Sequence, residues 1–170
     1  PQFLQPTQLM SHLAEESISS AHARGIQIVQ SMINPEAIFE PSILEQAGLR
    51  RLAELIYLDS DLSRSILTHE CSHRLKWKTY SDSTHGLFAQ ILQDTYVNSH
   101  DCVALNGIRR VDDIIDSHRA TGEFDPNLWF VGFADGSPVG ILLLNFQPER
   151  WAMEVVYMGL LPSGRGKGYG

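Results

Sequence analysis

The spacing of apolar residues changes period along this chain, and each change predicts an element. Between Thr7 and Arg24, Leu9, Met10, Leu13, Ala14, Ser17 and Ala21 fall near helical spacing, with Thr7 placed to cap after Pro6 and Gly25 to close the helix. Ile26 to Ile33 alternates as a strand would, with Ile26, Ile28, Gln30 and Met32 on one face, and Asn34-Pro35 ends it. Pro41 to Ala47 is predicted as a short helix closed by Gly48, and Leu49 to Leu58, rich in Leu, Ile and Tyr, as a second strand. Asp59 to Ser72 is polar and predicts a connection. From Leu75 the pattern restarts, with a strand at Leu75 to Tyr80 and then Asp82, Ser83 or Thr84 to cap a helix over His85 to Val97. The buried side of that helix is predicted to carry Leu87, Phe88, Ile91, Leu92, Thr95 and Tyr96. Asn98 to Asn106 is a loop, Val111 to Ala120 a helix, and Gly122 to Pro126 a turn. Leu128 to Ala134 and Val139 to Phe146 are strands joined by the hairpin signal Asp135-Gly136-Ser137-Pro138, and Trp151 to Leu161 is a further strand.

The residues after that last strand carry the chemistry. Pro162 stops it, and Gly164, Gly166, Gly168 and Gly170 then alternate with Ser163, Arg165, Lys167 and Tyr169. Glycines admit positive φ and carry no side chain to fend off a ligand, so the amides of such a loop can curl around an anion. Arg165 and Lys167 add full charges beside it. A phosphate or pyrophosphate gripped at the carboxyl end of a strand is the chemistry implied. Two familiar glycine motifs do not fit. A P-loop needs Ser or Thr after its lysine, where Lys167 is followed by Gly168, and a dinucleotide fingerprint counted from Gly164 meets Tyr169 where its last glycine belongs.

Composition narrows the classes without choosing among them. The 170 residues suffice for one ordinary domain or parts of two. Thirteen basic against twenty acidic residues give a net charge of −7, which argues against a general nucleic-acid surface. No apolar run approaches the ~20 residues of a membrane span. No signal-peptide pattern opens the sequence, and the two cysteines, Cys71 and Cys102, are too few for a disulfide framework, so a cytoplasmic location with no membrane partner is expected. His69-Glu70-Cys71-Ser72-His73 matches the zinc-protease pattern His-Glu-x-x-His. The chemistry there needs a helix and a third ligand, whereas Lys76 and Thr79 stand where the extended motif has Gly and His, and Leu75 to Tyr80 alternates like a strand. A solvated connection is the better reading, with no metal expected.

What does fit the chain's end is Arg-Gly-x-Gly-x-Gly, Arg165 to Gly170, after a strand and a proline. This resembles motif A of the GNAT superfamily of N-acetyltransferases, whose strand-loop-helix binds the pantetheine and pyrophosphate of acetyl-CoA. The order strand, two helices, hairpin, strand and glycine loop from Leu75 is similar to the first half of a GNAT domain. Leu44 to Leu58 resembles the late helix and strand of such a domain, and Asp101 to Arg109 resembles the loop between early helices of tandem acyltransferases. The resemblance therefore implies residues 1–62 as the back half of one GNAT-like domain, 63–74 as a linker, and 75–170 as the front half of the next. The implied fold is a mixed, largely antiparallel twisted α/β sheet flanked by helices, incomplete in this chain. Truncation is expected over the alternative, in which the same pieces form one permuted domain.

The resemblance also implies roles. Met158, Gly159, Leu160 and Leu161 would offer backbone groups to the pantetheine arm, with an amide near Leu160 polarising the thioester oxygen. Arg165, Gly166, Lys167, Gly168, Tyr169 and Gly170 would take the pyrophosphate. Glu154, sixteen positions before Gly170, stands where histone-acetylating members keep a general base, and strand parity places it on the face of Val156, Met158 and Leu160. The implied activity is direct transfer of an acetyl group from acetyl-CoA, a co-substrate, to a primary amine on a small molecule or peptide. The competing reading is a non-catalytic acyl-CoA-binding or scaffolding module. A homodimer, or packing of tandem domains within one chain, is compatible with either. Trp77, Trp129 and Trp151 are expected at the core or its rim, and Asp112, Asp113 and Asp116 on a solvated helix face.

Overall fold

The structure is a computed structural model that describes residues 5–38, 40–62, 75–100, 105 and 107–170. The chain divides into two compact units, Pro1–Ile56 and Tyr57–Gly170.

In the first unit, α1 (Pro6–Ala23) and α2 (Glu40–Gln46) pack together through Ser11, whose buried hydroxyl lies 3.2 Å from the Ile43 carbonyl and 3.3 Å from Gln46 Oε1. Gly25 and Gly48 take the positive φ of +78° and +91° expected just past a helix end. The cap of α1 is not Thr7. Gln5 occupies that position and exchanges hydrogen bonds with Gln8, because Pro6, lacking an N–H, belongs at the first helical position.

The two strands expected in this part of the chain are not formed. Residues 26–34 and 49–58 have no regular structure, and Met32, Ile56 and Leu58 are largely exposed. Strand propensity reports fit to a half-buried pleated surface, and there is no sheet among the described residues of this unit for either segment to join. The part of the resemblance that rests on those strands therefore has no strand behind it. The linker expected at 63–74, with its His69 to His73 pattern, lies outside the described residues.

The second unit is a mixed α/β layer structure. Strands β1 (Lys76–Thr79), β2 (Trp129–Ala134), β3 (Ser137–Gln147) and β4 (Ala152–Leu160) form one antiparallel sheet in the order β1-β2-β3-β4. Between β1 and β2 run α3 (His85–Thr95) and α4 (Val111–Arg119). Each element stands where the apolar pattern predicts it, with ends shifted by a residue or two. The β2–β3 hairpin turns at Asp135 and Gly136, whose φ values of 49° and 80° match the twist of the flanking strands.

One sheet face is the core. Trp129, Val131, Ile141 and Leu143 meet Phe88, Ile91 and Leu92 of α3 and Ile115 of α4, all buried. Burial of one such large apolar side chain stabilises by about 1.5–3 kcal/mol, so this layer fixes where α3 and β4 lie. Trp129 is fully buried, while Trp77 and Trp151 are exposed, the latter in the left-handed region at φ 48°. Among the described residues no helix is long and apolar enough to cross a membrane.

One polar side chain joins the core. Asn145 of β3 accepts from Trp129 Nε1 at 2.8 Å and donates to the carbonyls of His118, in the last turn of α4, and of Thr121, just past it. A fully satisfied buried amide of this kind locks the helix end to the sheet.

Candidate functional site

The site is built where the carboxyl end of β4 passes the carboxyl end of α3. Among the described residues β4 lies at one edge of the sheet. Its register against β3 slips between Leu143 and Leu144: Leu143 pairs with Tyr157, whereas Leu144 pairs with Val155, so Val156 is an extra residue. A bulge of this kind reverses the alternation of faces on either side of it.

This corrects the placement of Glu154. It pairs with Asn145 and so lies on the helix-covered face, whereas Met158 and Leu160 pair with Leu142 and Gly140 on the opposite one. Parity fails because it counts Val156 as an ordinary strand residue. Glu154 Oε2 accepts from Gln147 Nε2 at 2.6 Å. It does not line the cavity beside the end of β4, and five positions of strand separate it from Gly159, roughly 15 Å at an extended rise.

That cavity, about 260 Å³, is lined by Thr95, Asn98, Ser99, His100, Tyr157, Met158, Gly159, Leu160 and Arg165. The structure thus brings Met158, Gly159, Leu160 and Arg165 together around one space. Gly159 is required where it stands, because a Cβ there would come within 2.9 Å of Thr95 Cβ and of the Tyr157 hydroxyl. The bulge turns Tyr157 inward, and its hydroxyl meets Thr95 Oγ1 at 2.7 Å. Thr95 Oγ1 already donates to the Leu92 carbonyl, so the proton between the two hydroxyls comes from Tyr157. Behind Tyr157 lies His118, ring centroids 5.5 Å apart. Burial, with the Arg109 charge second, pushes His118 down to about 4, so its imidazole is neutral at pH 7.

The glycine loop is anchored, not a loose tail. Leu161 is buried and its N–H donates to the Val139 carbonyl at 2.9 Å, and Pro162–Gly164 form one tight turn. A Cβ at Gly164 would meet the Val139 carbonyl oxygen at 2.7 Å, so only glycine allows the turn to seat on β3. Beyond it φ alternates in sign: −69° at Arg165, +71° at Gly166, negative at Lys167 and +75° at Gly168. The amides of Gly166, Lys167, Gly168 and Gly170 donate to no other group among the described residues. Alternation of this sort turns successive N–H groups toward one side of the chain. Lys167 is exposed beside them, while Tyr169 and Gly170 line a second, apolar cavity of about 190 Å³ with Trp77, Gly140 and Met158.

Arg165 behaves differently from Lys167. Its Nε donates to Leu160 O at 3.2 Å, Nη1 to Asn98 O at 3.1 Å and Nη2 to Thr95 O at 2.8 Å. Sequence reasoning missed Thr95, Asn98 and Tyr157. One signal pointed to Asn98: an asparagine just after a helical run often takes the left-handed conformation, as it does here at φ 53°.

Known protein families offer no match to the chain, and no curated protein matches it. Among the described residues no cluster of His, Cys, Asp or Glu could hold a metal ion. Cys71 and Cys102 lie outside those residues.

Proposed function

We propose that the second unit is part of a GNAT-type domain and that the protein transfers an acyl group from acetyl-CoA to an amine. The observation that supports this most is the seat of the Arg165 to Gly170 loop: anchored at the end of β4, alternating in φ, with the amides of Gly166, Lys167, Gly168 and Gly170 unpartnered among the described residues, beside a cavity that Met158, Gly159 and Leu160 line. An edge strand can lend backbone groups to an extended pantetheine as it would to another strand. The diphosphate lies on the loop amides with Lys167 beside them, since oriented N–H groups and one exposed cation suit an anion of high charge. The amine must lose a proton to attack the thioester carbon, an amide near Leu160 receives the charge that develops on the oxygen, and as the intermediate collapses the C–S bond breaks and coenzyme A leaves as its thiolate, which takes up a proton from water. Glu154, outside the cavity and bonded to Gln147, can serve as the base only through a chain of several waters. The acceptor is a small molecule or a peptide amine.

One observation favours a second reading: Glu154 does not line the cavity, which suits a module that binds acyl-CoA without turnover. Steady-state assays with acetyl-CoA and a panel of amines, on the unmodified protein and Glu154→Gln, separate the two. Turnover lowered by about 10²-fold or more in the variant, with acetyl-CoA affinity kept, is the expected result for a general base. Tight binding with no turnover in the unmodified protein selects the module, and absence of both ends the acyl-CoA assignment.

A further inference from the structure

Arg165 and Lys167 lie two residues apart in the same loop, yet the structure gives them different tasks. The guanidinium of Arg165 is half-buried, and its donors fan out over three backbone carbonyls. Thr95 O closes α3, and Asn98 O lies in the left-handed turn just past it. Carbonyls there lack intrahelical partners and the helix dipole is negative, so a cation is favoured. α3 has no basic residue in its own last turn, and Arg165, seventy residues further along the chain, supplies one. The left-handed turn at Asn98 accompanies the contact, with Asn98 O received by Nη1. The third carbonyl, Leu160 O, closes β4. One planar group therefore ties the strand end and the root of the glycine loop to the helix, and walls the cavity between them.

We propose that Arg165 is a positioning residue and not a phosphate ligand: it clasps the glycine loop to α3 so that the loop amides and the end of β4 are set before any ligand arrives. The proposal rests on the acyl-CoA reading of the same loop. Three of its five N–H donors are engaged by carbonyls, which holds the guanidinium in the clasp, and among the described residues of the loop the exposed Lys167 is left as the free cation to meet a diphosphate. A lysine cannot replace such a clasp, because one ammonium on a flexible stem does not span the three acceptors that the planar fork of a guanidinium reaches.

The test compares Arg165→Lys, Arg165→Gln and Lys167→Ala with the unmodified protein. Calorimetry is run with coenzyme A and with pantetheine, which lacks the diphosphate, at two salt concentrations, and ¹⁵N relaxation is recorded for the 166–170 amides without ligand. Both Arg165 variants are expected to weaken the two ligands by a similar factor, about tenfold, to leave the salt dependence unchanged, and to lower the order parameters of the loop below ~0.6. Lys167→Ala is expected to weaken coenzyme A alone, to flatten its salt dependence, and to leave loop order as it was. A loss for coenzyme A but not pantetheine in Arg165→Lys, or an unchanged loop in both Arg165 variants, overturns the clasp. If the unmodified protein binds neither ligand, the acyl-CoA reading fails, and the relaxation data alone still decide whether Arg165 holds the loop.

Discussion

The two ends of α3 are built on opposite principles. At its amino end, side chains consume one another. Tyr80 is buried, its hydroxyl receives a hydrogen bond from Arg119 Nη2 and lies 2.7 Å from His85 Nδ1, and His85 Nε2 lies 3.1 Å from Asp112. Asp112 can only accept, so the His85 Nε2–H goes to it, and in the neutral imidazole Nδ1 is then left to accept the Tyr80 proton. Arg119 also stacks over the Tyr80 and Phe124 rings, and burial raises the Tyr80 hydroxyl against the lowering effect of Arg119. At the carboxyl end the partners are backbone carbonyls, an open cavity and a glycine loop. A cluster whose side chains pair with one another, Arg119 Nε excepted, holds a fold together, whereas backbone groups gathered around a space can receive something else.

The comparison breaks most sharply at Gly159. Gly159→Val forces a side chain against Thr95 and Tyr157, where a Cβ already sits at 2.9 Å. It is expected to cost about 3 kcal/mol, the upper part of the range for overpacking, and to abolish binding at the carboxyl end. Chemical denaturation and calorimetry check the two parts separately.

His118 gives the next effect. Its folded-state value, about 4, lies below the unfolded value near 6.5, so the unfolded chain binds the extra proton. The stability it contributes is present above pH 6.5 and is lost as pH falls toward 4. For a side chain in partial contact with solvent this amounts to about 2 kcal/mol. Denaturation midpoints across that window should fall in the unmodified protein and flatten in His118→Gln.

At the amino end, Arg119→Met removes the donor to a buried hydroxyl and is expected to cost about 1–2 kcal/mol. Ligand affinity at the far end of the helix should not change. Thermal melts with coenzyme A titrations test that independence. The smallest effect belongs to Asp112→Asn, since its contact with His85 is solvent-exposed and such pairs contribute under ~1 kcal/mol.

How far the sequence could be read follows the same division. The layer from β1 to β4 was legible because each apolar run there has a surface to pack on, and period alone then sets type and face. Residues 26–34 and 49–58 carry the same β-forming letters, yet join no sheet among the described residues, and the letters do not record that absence. Glu154 was placed on the wrong face because a bulge adds a residue without any mark in the composition of Val155-Val156-Tyr157. The loop that follows β4, with Gly166 and Gly168 at positive φ, was legible from its proline and glycine spacing. The clasp was not, because its acceptors are carbonyls, which every residue carries, brought together from seventy positions away.

Calorimetric titration of the intact protein with coenzyme A and acetyl-CoA is the most direct test of the central claim, that the loop from Arg165 to Gly170 receives the diphosphate of an acyl carrier. Saturable binding at one site per chain, displaced by adenosine 3′,5′-bisphosphate and weakened by Lys167→Ala, is the result expected. No heat from either compound up to about 1 mM, a binding energy of only ~4 kcal/mol, would contradict it.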